Sequence, residues 1–82
     1  MVVSVEGYIF INCSSGMVWK IAGETLKIKG IKMAHAVTGT FDVVAYANFS
    51  NVDELARMIE EIQSLEGVQR THTAIAIPPR LK

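Results

Sequence analysis

The chain has 82 residues, enough for one domain (1–82) whose own core is small. Eight acids balance eight bases, so the formal charge is zero, which argues against a direct nucleic-acid binder with its surplus of Lys and Arg. Half of the residues are apolar, yet no apolar run is long enough to span a bilayer, so part of that surface is expected to be buried by partner chains rather than by a membrane.

The first residues, Met1-Val2-Val3-Ser4-Val5-Glu6, lack the basic and then apolar regions of a signal peptide. Residues 5–13 read as a strand, with Tyr8, Ile9, Phe10 and Ile11 consecutively apolar and either β-branched or aromatic. Cys13, the only cysteine, has no internal disulfide partner, which suits a reducing cytoplasm. At the end of an apolar strand a buried structural thiol is the expected state, and no neighbouring base marks it as a nucleophile.

Ser14-Ser15-Gly16 breaks the strand and offers a hydroxyl N-cap. Val18, Ile21, Ala22 and Leu26 then recur at helical spacing, predicting a helix over 17–29 that ends at Gly30. Ile31, Met33, His35 and Val37 alternate with Lys32, Ala34, Ala36 and Thr38, a strand pattern. A turn at Gly39-Thr40 leads to a third strand over 41–49, continuously apolar from Val43 to Ala47. Ser50 or Asn51 caps the next helix, each with an acid three residues on. Leu55, Ile59, Ile62 and Leu65 mark its buried face and Gly67 its end. The last strand runs over 68–77 and is stopped by Pro78-Pro79, after which the tail to Lys82 reads as a loose end.

The order is βαββαβ. Lys29–His35 echoes Glu66–His72, each segment following a helix and opening a strand, as in two related halves of a ferredoxin-like split βαβ fold. The fold class expected is therefore α+β, an antiparallel four-stranded sheet with both helices on one face. Right-handed crossovers put strands one and three in the middle and two and four at the edges. A sheet covered on one face needs apolar residues on that face only. Here Tyr8 and Phe10 point opposite to Ile9 and Ile11, and Val44 and Tyr46 opposite to Val43 and Ala45. Pairing of two chains through the second apolar face, with Tyr8, Phe10, Val44 and Tyr46 at the dimer interface, is the economical solution.

Thr38-Gly39-Thr40-Phe41-Asp42 presents a backbone glycine and a lone carboxylate side by side. Free N–H groups and one fixed acid could hold a small zwitterion. Ordinary turn chemistry, with Gly supplying positive φ and Asp bonding its own backbone, accounts for the same residues.

With this turn in place, the chain resembles the effector-binding (RAM) domain of the Lrp/AsnC transcription regulators, in a stand-alone form without the helix-turn-helix. The marks are Gly30-Ile31, Val37-Thr38-Gly39-Thr40-Phe41-Asp42, Leu65-Glu66-Gly67-Val68 and Thr71-His72-Thr73. The family's Pro-Gly before the first helix is replaced by Ser14-Ser15-Gly16. The resemblance implies a non-catalytic sensor that dimerises through its sheets, assembles further into rings, commonly octamers, and binds an amino-acid effector between dimers. It implies an effector site of Thr38, Gly39, Phe41, Asp42, Thr71 and Thr73, with Asp42 meeting the ligand ammonium, and no cofactor. A full-length Lrp/AsnC paralogue is an implied partner.

Other residues carry weaker signals. His35 and His72 occupy equivalent places in the two halves, but edge strands would hold them far apart, and no acid or Cys motif joins them into a metal site. Trp19 suits packing at a helix or oligomer contact. Lys20, Lys27, Lys29 and Lys32 cluster in the first half, while Asp53, Glu54, Glu60, Glu61 and Glu66 lie in the second. These are either two solvated faces or patches that meet between chains. The alternative function is a small dimeric α/β-barrel enzyme, a monooxygenase or isomerase, holding substrate between sheet and helices. The expected interior residues are Ile, Val, Ala and Leu, with no acid or base. A side-by-side sheet pairing of the ACT type is disfavoured by the doubly apolar strands.

Overall fold

The computed structural model describes residues 4–77. Its elements are β1 (Val5–Cys13), α1 (Val18–Leu26), β2 (Ile31–Ala36), β3 (Val43–Phe49), α2 (Val52–Gln63) and β4 (Val68–Ile75). The strands form one antiparallel sheet in the order β2-β3-β1-β4. This is the expected ferredoxin-like arrangement, with the two apolar strands in the centre. Pro78-Pro79 and the tail lie outside the described residues.

The two central strands show why the sheet has two different faces. Side chains alternate along a strand, so Ile9, Ile11 and Cys13 of β1 and Val43, Ala45, Ala47 and Phe49 of β3 are buried on one side. Ile21 and Ala22 of α1 and Leu55, Met58 and Ile62 of α2 close over them. Tyr8, Phe10, Val44 and Tyr46 emerge on the opposite side, where no helix lies, and none of the four is fully buried.

Of its two candidate caps, α2 starts at Asn51. Asn51 Oδ1 accepts the Glu54 N–H at 2.9 Å, and Glu54 Oε1 accepts the Ser50 N–H at 2.8 Å, a reciprocal capping arrangement. Met58, at 1% exposure, joins Leu55 and Ile62 on the buried face, while Ile59 and Leu65 are half-buried.

α1 departs from expectation at both ends. Its N-cap is Met17, with no side-chain capping bond. The Ser14 backbone is already committed: its N–H donates to Gly67 O at 2.8 Å and its C=O accepts from Met17 N–H at 3.0 Å, tying the β1 exit to the β4 entrance. The helix also stops at Leu26, three residues short of the predicted 29. Lys27 and Ile28 then make three-residue turn bonds to Glu24 and Thr25.

β2 contains a bulge between Ile31 and Met33. The extra residue reverses the alternation. Ile31 faces the helices with Ala34, whereas Met33 and His35 pair with Tyr46 and Val44 on the open face. The simple alternation read over 31–38 therefore fails at its first step.

Candidate functional site

The β2–β3 turn is fastened to the end of β1 by three bonds. The Asp42 N–H donates to Ile11 O at 2.9 Å, Asp42 Oδ2 accepts the Cys13 N–H at 2.9 Å, and Asn12 Nδ2 donates to Thr40 O at 2.9 Å. A further bond from the Val37 N–H to Asp42 O closes the turn on itself. The Asp42 side chain thus bonds a neighbouring strand rather than its own turn, because the Cys13 N–H at the end of β1 stands beside it. Asp42 Oδ1 accepts no bond among the described residues. Thr38, Gly39 and Thr40 are exposed, and Gly39 takes φ +106, which only glycine adopts without strain.

Electrostatics at this corner act on Cys13. Burial, and then the Asp42 charge, push its thiol pKa up, so it stays protonated and is a poor nucleophile.

Phe41 carries the turn onto the open face. Its ring lies 5.1 Å from Phe10 and 5.9 Å from His72, distances of tilted aromatic contact. Tyr8 and Tyr46 form a second pair at 5.4 Å. The Tyr46 phenol is shifted up by desolvation, and then by a hydrogen bond to and the charge of Glu6. His35, Val44, Phe10 and His72 form one cross-strand row over the open face. The two histidines stand three strand spacings apart, about 14 Å, too far to share a metal ion. Among the described residues no group of three or more His, Cys, Asp or Glu could hold one.

Thr71 and Thr73 sit elsewhere. They pair with Ile11 and Ile9 and share the helix-covered face, where Thr71 Oγ1 accepts a bond from Gln63 Nε2 at 2.9 Å. Thr38, Gly39, Phe41 and Asp42 are gathered within a single chain, but the two threonines are not brought to them. Sequence reasoning missed His72 as the partner of Phe41 because nothing local pairs residues so distant in the chain. It missed Asn12 for the same reason.

The buried core between sheet and helices is apolar apart from Thr25, among the described residues. The sheet and its two helices define a ferredoxin-like α+β domain. The profile of the Lrp/AsnC ligand binding domain matches residues 6–79, and the chain belongs to this family. That membership supports a regulatory sensor role and does not favour the enzyme alternative.

Among its relatives is the HTH-type transcriptional regulator FL11 of Pyrococcus furiosus, 28% identical over 74 residues that span 90% of this chain and 49% of the regulator. FL11 of Pyrococcus abyssi is 30% identical over the same shares of the two chains. The chain spans about half the length of the curated relatives it matches. Among solved structures, TTHA0845 from Thermus thermophilus superposes with a TM-score of 0.87 at 26% identity, covering 95% of this chain and 99% of that one.

Proposed function

We propose that this chain is an oligomeric small-molecule sensor that binds an amino acid, paired through the open face of its sheet, and that effector binding at the Gly39–Asp42 turn changes how copies assemble. One observation carries the reading: Phe41 joins the turn to the open face through Phe10 and His72. A ligand that moves the turn therefore perturbs the surface on which two sheets would pack. Tyr8, Phe10, Val44 and Tyr46 form the centre of that surface, and the resulting dimers associate further into a ring.

The turn is a half-site. Asp42 Oδ1 would take the ligand ammonium and the exposed backbone around Thr38 and Gly39 its carboxylate. Thr71 and Thr73, held away from the turn in one chain, would come from a neighbouring chain. The fold also occurs, at 17% identity, in a Neisseria meningitidis transcriptional regulator solved as an L-Met complex, which places amino acids first among compounds to test. Assembly with a full-length regulator of the same family would carry the signal onward to transcription or metabolism in the cytoplasm.

The test is a thermal-shift and light-scattering screen of the twenty amino acids. At least one is expected to raise the melting temperature and alter particle size. A flat response to all twenty sinks the sensor reading.

A further inference from the structure

The open face and the turn leave unexplained the lysines of the first half. Two of them, Lys29 and Lys32, line a cleft of about 490 Å³ together with Arg57, Ser4, Ser50 and Glu54. It lies at the opposite end of β1 from the Gly39 turn, roughly 25 Å away along a nine-residue strand.

The cleft is built by the close approach of the α1–β2 connection to α2. Gly30, at φ +97, leaves no room for a side chain: an added Cβ would stand 2.5 Å from Met58 Cε and 3.1 Å from Asn48 O. Met58, 1% exposed, forms the floor. Arg57 spans the gap, its Nη2 donating to Lys29 O at 3.2 Å while Nη1 pairs with Glu61 at 2.7 Å. The guanidinium is therefore fixed in place. Lys29 and Lys32 form no ion pair among the described residues, in a chain whose acids and bases otherwise balance. Glu54 is the only acid of the lining and is occupied by the Ser50 N–H.

With Arg57 paired to Glu61, Lys29 and Lys32 are the cations of the lining left without an acidic partner among the described residues. Two unpaired lysines beside a guanidinium suit an anionic group. Ser4 and Ser50 stand beside it, and Asn48 approaches Gly30 through its backbone. The volume is in the range of small-molecule sites and far exceeds what one phosphate fills, a water occupying about 30 Å³.

We infer that this cleft binds a small phosphate monoester, its phosphate on Lys29, Lys32 and Arg57 and its hydroxylated remainder toward Ser4 and Ser50. Lysines act on phosphate as mobile point charges and a held arginine as a directional donor. Such a site would give the sensor a second input, independent of the turn.

The experiment is a titration of the full chain, followed by amide chemical shifts, with inorganic phosphate and with ribose 5-phosphate in separate arms at constant ionic strength. Saturable shifts at Gly30, Lys32 and Ser50 are expected, with ribose 5-phosphate saturating at the lower concentration. Lys29→Ala/Lys32→Ala, at two exposed positions, should weaken binding at least about tenfold, and the Lys29→Arg/Lys32→Arg pair should restore it. Shifts that track ionic strength without saturating, or that survive in the double alanine variant, overturn the site. Equal affinity for the two probes overturns the assignment of the cleft's polar remainder to an organic moiety.

Discussion

The Asp42 carboxylate accepts the backbone N–H of Cys13 at 2.9 Å, across 29 positions of sequence. One oxygen thus locks the β2–β3 turn to the end of the central strand, and the other accepts no bond among the described residues. The residue proposed to recognise an effector is also the one that fixes where the turn sits.

Two substitutions separate these roles. Asp42→Ala leaves the part-buried Cys13 N–H without its acceptor and should cost about 1–3 kcal/mol, read as a lower urea midpoint. Asp42→Asn keeps an acceptor oxygen but removes the charge. Its stability should stay within about 1 kcal/mol of the parent, while the amino-acid response in the thermal-shift screen disappears. An Asp42→Asn chain that responds like the parent would remove Asp42 from the site.

Gly30 and Gly39, two of the four glycines at positive φ among the described residues, should behave differently. At Gly39 nothing lies within 4 Å of an added Cβ, so Gly39→Ala pays only the backbone strain, about 1–2 kcal/mol. Gly30→Ala adds the collision with Met58 and the Asn48 carbonyl and should exceed it by at least about 1 kcal/mol. Paired denaturation curves check the order. Equal losses would mean that the loop over Met58 yields freely.

Sheet pairing predicts a melting temperature that rises with chain concentration. Val44→Lys, at the centre of the open-face row, should abolish that dependence and sediment as a monomer, since it places a charge where two apolar faces meet. A parent chain that is monomeric and equally stable at every concentration would contradict the arrangement.

The raised pKa of Cys13 fixes a sign at alkaline pH. In the folded chain burial, reinforced by Asp42, keeps the thiol protonated to higher pH than in the unfolded chain. Its stabilising contribution is complete below the ordinary thiol value of 9.0 and is lost as pH rises through the folded pKa. Denaturation midpoints should fall above about pH 9, and Cys13→Ala should flatten that fall. An identical alkaline slope in the variant would assign the loss to other groups, the upshifted Tyr46 phenol first among them.

Much of this molecule was legible in one dimension. The six elements, the strand order and the second apolar face follow from local periodicity. Alternation puts Ile9 and Tyr8 on opposite sides of any strand, and a helix covers only one side. The turn at Gly39 was legible too, because positive φ selects glycine wherever it falls. Tertiary structure alone decided the rest. The bulge after Ile31 turns Met33 and His35 to the open face, since register is set by the partner strand and not by the strand's own pattern. The same register puts Thr71 and Thr73 beside the helices and His72 beside Phe41. The Gly30 approach to Met58 that shapes the basic cleft brings together residues far apart in sequence. Periodicity reports which way a side chain points, but which side chains meet depends on how strands slide past one another, and that is fixed only when the sheet is assembled.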